Sequence, residues 1–159
     1  MNISEHISYN ESITSESAVR HGIANIPNDE QLANMKATAE KIFEPLRTYL
    51  SNNIRKKDSP IKINSFFRSV EVNKLIKGSS SSQHCEGKAM DLECNYPNFN
   101  NKDLFFLIKE KSIYDQLIWE FGDDKEPAWV HVSYNGNNNR KQVLSAIIQD
   151  GKTIYIPFK

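Results

Sequence analysis

Apolar side chains recur at helical spacing from Leu32 through Met35, Ala39, Ile42, Phe43 and Leu46. Steps of three and four place them on one stripe, so the spacing predicts a scaffold helix with that stripe in the core. Asn28 or Asp29 can cap its start, and Glu30 and Gln31 suit its positive end. Pro45 lacks an N–H for the helical ladder, which predicts a kink or an early stop there. The polar, charged stretch from Asn52 to Pro60 reads as a loop. A second helix is expected over Val70 to Ile76, ending at Gly78. A third carries Leu104, Phe105, Leu107 and Ile108 and ends near Lys111.

Elsewhere the period falls to two. Between Lys88 and Glu93, Met90 and Leu92 would face a core while Ala89, Asp91 and Glu93 face the other way. From Trp129 to Tyr134, Val130, Val132 and Tyr134 suit the buried face and Trp129, His131 and Ser133 share the opposite one. Ile61 to Ser65 and Asp115 to Phe121 also read as strands. The latter pairs with Trp129 to Tyr134 across the Gly122 to Pro127 loop. Gln142 to Ile148 and Thr153 to Phe158 flank Asp150-Gly151, a strong hairpin signal. Residues 1 to 28 are Ser- and Asn-rich and are expected to form an ordered arm with short helical turns, one at Glu16 to Arg20, packed on the body.

The chain has 159 residues, enough for one domain over 1–159 with a real core. Lys plus Arg equals Asp plus Glu at 20 each, which argues against a nucleic-acid footprint, since that would need a basic face. No apolar run has the length of a membrane helix. Met1 to Asn10 is polar and lacks the apolar core of a signal peptide, so the expected route is synthesis in the cytoplasm. A monomer is expected. The two cysteines, Cys85 and Cys94, do not make a disulfide framework and read as reduced small hydrophobes, Cys85 being an outside candidate for a metal ligand.

The candidate chemistry lies in Ser82-Gln83-His84-Cys85-Glu86-Gly87-Lys88-Ala89-Met90-Asp91, which reads S-x-H-x-x-G-x-A-x-D. His84 and Asp91 are too far apart for one helical turn, but Gly87 permits a tight turn between a loop carrying His84 and a strand carrying Asp91. Small Ala89 would leave room for an ion. His131, mid-strand and opposite its valines, can supply a third donor. Two imidazoles and one carboxylate are the ligand set of a zinc site that keeps one position open for water. Taken singly, either histidine could be an ordinary surface residue. Arg68 could grip a carboxylate bidentately or be a plain surface arginine. The four-serine run Ser79 to Ser82 reads either as flexible or as placing Ser82 to bind substrate or orient a ligand.

The pattern at Ser82, His84, Gly87, Ala89, Asp91 and His131 resembles the zinc D-Ala-D-Ala carboxypeptidase family. That family includes D,D-dipeptidases and phage L-alanyl-D-glutamate endolysins, and the hedgehog signalling domain shares its fold. The Trp129 to Tyr134 strand and the Ser65-Phe66-Phe67-Arg68-Ser69 segment are similar to its compact phage and prophage branch. The resemblance implies an α+β fold with a small antiparallel sheet, helices on one face and a zinc cleft on the other. It also implies one Zn2+ held by His84, Asp91 and His131, with Arg68 binding a substrate carboxylate. The implied substrate is a peptidoglycan peptide, cut after phage-type release or by a virus particle component.

Hydrolysis at such a site needs a proton acceptor, and Glu120 and Glu126 are the candidates. In many relatives the base lies three residues before the last histidine, where this chain has Ala128. Glu120 ends a strand similar to one whose terminal glutamate faces the zinc in the hedgehog fold. Set opposite His131 in a hairpin, it is the preferred base. The Ala128 departure keeps a catalytically silent binding module, or a virion structural module, as the competing reading.

Overall fold

The computed structural model describes residues 1–159. Three helices open the chain: α1 (Tyr9–Ile13), α2 (Glu16–His21) and α3 (Asp29–Thr38). Asn28 is the residue that caps α3, in a reciprocal capping box with Gln31. The helix does not stop at Pro45. It passes through a π-helical turn at Ala39–Phe43 into α4 (Glu44–Tyr49), then a second π-helical stretch at Leu50–Arg55. The expected early stop at Pro45 is therefore corrected, and the loop expected from Asn52 starts at Lys56 instead. The wide turn just before Pro45 lets the Glu44 N–H donate five residues back to Ala39 and relieves the misfit that proline creates. Burial of Leu46 and Leu50 favours carrying the helix on. It ends where Lys56 turns left-handed at φ 57°.

The remaining elements are β1 (Lys62–Ser65), α5 (Val70–Leu75), a 3₁₀ turn at Gln83–Glu86, β2 (Ala89–Glu93), α6 (Asn101–Lys111), β3 (Gln116–Glu120), β4 (Trp129–Ser133), β5 (Gln142–Gln149) and β6 (Lys152–Pro157). The strands form one sheet in the order β1-β2-β4-β3-β5-β6. Four neighbour pairs are antiparallel, but β3 and β5 are parallel. The sheet is thus mostly antiparallel, as expected, with one parallel pair. The reason is steric: β4 is already flanked by β2 and β3, so the chain reversing out of β4 pairs with the free edge of β3. Asp115 pins that crossover, its carbonyl accepting from the Gln142 N–H at 2.9 Å and its carboxylate from the Arg140 N–H at 2.9 Å.

Alternation sorts the sheet into two faces. Met90, Leu92, Leu117, Trp119, Val130 and Val132 join the core, against Met35, Ile42, Phe43 and Leu46 of the long helix and Leu104, Phe105 and Ile108 of α6. Ile3 and Ile7 of the N-terminal arm are buried in the same cluster. The other face carries Asp91, Glu120 and His131. No helix is long and apolar enough to cross a membrane.

Candidate metal centre

His84 sits in the 3₁₀ turn, and the turn is fixed by side chains of α3. Gln31 donates from Nε2 to the Cys85 carbonyl at 2.9 Å, Asn34 from Nδ2 to Glu86 at 2.9 Å and Thr38 from Oγ1 to Gly87 at 3.3 Å. Gly87 ends the turn at φ +72°, where a Cβ would lie 2.5 Å from the Gln31 carbonyl oxygen and 2.7 Å from Met35 Cγ. Glycine is the residue that permits both the backbone angle and the close approach. On the other flank, Gln83 donates from Nε2 to Asp115 Oδ2 at 2.9 Å. Asp115 is fully buried and is also gripped by Arg140 at 2.9 and 2.6 Å. The Arg140 hydrogen bonds hold its carboxyl below the usual carboxylate range, against the opposing effect of burial. The role of Asp115 has no local signal in the sequence, because its partners are 32 and 25 residues away.

Asp91 and His131 come from adjacent strands and face each other directly in the β2–β4 register. The His84 ring lies edge-on to His131, with centroids 5.1 Å apart. All three residues are buried, and their donor atoms lie within 4.8 Å of one another. Asp91 Oδ1 is 3.2 Å from His84 Nε2 and 3.1 Å from His131 Nδ1. Burial opposes the Asp91 charge, but with no ion present positive charge and N–H donation from His84 and His131 outweigh it and hold the carboxyl far below its ordinary range.

The donor set fits a metal ion. His84 Nδ1 lies 2.8 Å from the Phe66 carbonyl, which can only accept, so that nitrogen carries the proton. A neutral His84 then presents a bare Nε2 lone pair to a carboxylate oxygen, an arrangement that a cation between them makes favourable. Tetrahedral bonds of 2.0–2.1 Å separate ligand atoms by about 3.3 Å. The two imidazole–carboxylate distances sit just inside that value. Cys85 is half-buried and unpaired and is not among the three clustered donors.

Arg68 follows β1 at the edge of this cluster. Its backbone N–H donates to the His84 carbonyl at 3.2 Å. Its Nη2 lies 3.8 Å from Asp91 Oδ2 and 3.4 Å from Ser65 Oγ, and Nη1 donates to Asn73 Oδ1 at 3.2 Å. Ser82 caps the 3₁₀ turn by position only, without a side-chain capping bond.

Glu120 is 6% exposed and shares a sheet face with His131, but not by direct opposition. Ile118 is the residue across from His131, and Glu120 faces Trp129. The expectation of a direct pair is therefore corrected to a diagonal one, one rung along. Burial raises the Glu120 carboxyl to about 7, with Asp91 adding to the rise and His131 and Arg68 opposing it. Glu126 is used elsewhere: its Oε1 accepts from the Asn101 N–H at 3.2 Å, at the start of α6. It also lines a cleft of about 610 Å³ with Asn95, Tyr96 and Asp103, none of which belongs to the histidine cluster.

The remaining histidines are engaged away from this cluster. His6 Nδ1 pairs with Glu44 Oε2 at 2.7 Å, and His21 Nδ1 with the Ser17 carbonyl at 2.9 Å.

No curated protein matches the sequence. A family model described as peptidase M15 matches residues 5–133, a span that takes in all three clustered donors, Arg68 and Glu120. The chain belongs to the peptidase M15 family.

Proposed function

We propose that this chain is a zinc metallopeptidase that hydrolyses peptide bonds in peptidoglycan stem peptides or their cross-links. The observation that carries the reading is the commitment of His84 Nδ1 to the Phe66 carbonyl, which turns a bare Nε2 toward Asp91 and His131. His84 Nε2, Asp91 Oδ1 and His131 Nδ1 would hold the ion. When bound, zinc supplies Lewis-acid polarisation of the scissile carbonyl and acidifies water.

The protein's own groups do the rest. Glu120, buried on the same sheet face as the donors, accepts a proton from the attacking water at a carboxylate oxygen and returns it to the leaving amine as the C–N bond breaks. The water oxygen ends in the new carboxylate. Arg68 keeps N–H groups beyond those used by Asn73 and Ser65, and these grip a carboxylate of the bound peptide. Ser82, half-buried at the mouth of the 3₁₀ turn, contributes a hydroxyl to the same peptide.

The wall-peptide specificity rests on the S-x-H-x-x-G-x-A-x-D likeness to peptidases acting on walls. Chelated and zinc-reloaded protein incubated with purified walls tests it, with the released fragments read by mass. Zinc-dependent release of stem-peptide fragments is expected, and Glu120→Gln should keep the zinc and lose the release. Zinc binding without any cleavage would favour the silent binding module, which Ala128 in place of a glutamate otherwise supports. Delivery after phage-type release, or as part of a virus particle, belongs to the same proposal.

A further inference from the structure

The peptidase M15 match ends at Ser133, and the β5–β6 hairpin lies wholly beyond it. That hairpin is nevertheless part of the site face. Register runs straight across the sheet from Trp129 to Glu120, from Glu120 to Ala146 and from Ala146 to Tyr155. Neighbouring strands lie about 4.8 Å apart, so Tyr155 stands roughly 10 Å from Glu120 along one rung. The residue between them is alanine, which adds only a methyl group. Ala146 is 1% exposed whereas Tyr155 is 51% exposed. The phenol is therefore half-exposed on the same face of the sheet as Glu120, Asp91 and His131.

We propose that Tyr155 is a substrate-binding residue, its hydroxyl donating a hydrogen bond to a backbone carbonyl of the peptide lying against Glu120. This rests on the peptidase reading given above. Several observations support it. Leu144, Ala146 and Pro157, on the same face, offer a peptide no hydrogen bond from their side chains. Tyr155 is the hydrogen-bonding side chain of the hairpin at the level of Glu120, and its hydroxyl has no partner within the protein. Burial and the carboxylates of Glu120 and Asp91 push its phenol above the ordinary value, with Arg68 opposing, so it remains a donor at neutral pH. The hairpin is also anchored. Phe158, just after β6, packs on Phe105 and Trp119 with centroids 4.7 and 5.6 Å away.

The test measures binding apart from turnover. Zinc-loaded Glu120→Gln protein is titrated by calorimetry with soluble muropeptides from lysine-type and diaminopimelate-type walls. The same titration is run with Tyr155→Phe and, separately, Thr153→Ala added. Tyr155→Phe should weaken binding about fivefold to tenfold, the size of one hydrogen bond, and Thr153→Ala should leave it unchanged. In otherwise unaltered enzyme, Tyr155→Phe should raise KM by a similar factor with kcat nearly constant. Zinc content and Tm should not move. Equal affinity with and without the hydroxyl overturns the inference and leaves the peptidase reading intact. A fall in Tm or zinc content that accounts for the loss also overturns it, since the role would be structural. Failure of the parent Glu120→Gln protein to bind any muropeptide overturns both.

Discussion

His84 donates its Nδ1 proton to the carbonyl of Phe66 at 2.8 Å. One hydrogen bond thereby chooses the tautomer, aims the ring and frees Nε2 toward Asp91. Phe66 itself is 1% exposed and packed in the core, so the acceptor is held by the interior of the protein. The candidate metal centre and the hydrophobic core are mechanically joined at this contact.

Metal binding should be lost with any of the three donors. Wild-type protein is expected to bind one equivalent of zinc and to rise in Tm on loading, because the folded state alone assembles the site. His84→Ala or His131→Ala should lower zinc affinity by well over tenfold. Elemental analysis after dialysis checks this. A full equivalent retained by either variant would sink the assignment.

The two glutamates should separate cleanly. Glu120→Gln should retain zinc and lose wall-peptide turnover by a factor of at least 10². Glu126→Gln should retain turnover and cost about 1 kcal/mol of stability, because it weakens the hydrogen bond to the Asn101 N–H at the α6 start. Rates on zinc-loaded proteins and urea melts decide between them. The reverse pattern would reassign the base.

Metal-free protein should be most stable below neutrality as far as Glu120 is concerned. Its folded carboxyl titrates at about 7 rather than 4.5, chiefly because burial disfavours the charge. The folded chain thus holds that proton more tightly than the unfolded chain. The contribution is complete below pH 4.5 and disappears as pH rises through about 7. The difference is on the order of 3 kcal/mol. Denaturant melts in chelator should show Glu120→Gln gaining on wild type across this window, and no gap change from pH 5 to 8 would refute the burial argument. Bound zinc would pull the carboxyl down, so the acid limb of the rate profile should lie below 7.

Gly87→Ala should be costly for a local reason. A Cβ there meets the Gln31 carbonyl oxygen at 2.5 Å, at a backbone φ of +72°. About 2–3 kcal/mol or more of destabilisation is expected from strain plus the clash. Since the same turn carries His84, zinc affinity should fall with it. Melting curves and zinc titration check both, and a variant with wild-type Tm would show that α3 can yield.

Asp115→Asn should loosen the site without touching it. The substitution keeps the shape but weakens the Arg140 pair and reverses one end of the contact with Gln83, which precedes His84. A loss of about 2 kcal/mol is expected, less than for a fully buried pair because the Arg140 side chain is 55% exposed. Zinc affinity should drop modestly while the pH profile keeps its shape.

Much of this was legible in the chain itself. The alternation in Ala89–Glu93 and Trp129–Ser133 separates core residues from Asp91 and His131, because side chains in a strand point to opposite faces by geometry alone. The Asp150-Gly151 turn is equally local, both residues having positive φ, at 51° and 73°. Pro45 misled because a wide helical turn and a buried Leu50 outweigh one missing N–H.

Pattern and spacing determined which residue types could bind a metal and which face of each strand they occupy. Tertiary structure decided everything that depends on distant partners: the parallel run of β5 beside β3, the diagonal rather than direct placement of Glu120 and His131, the engagement of Glu126 at α6 and the rung that brings Tyr155 into line with Glu120. A strand's own periodicity fixes where its side chains point. Its register against a neighbour is set by how the whole chain closes around the core.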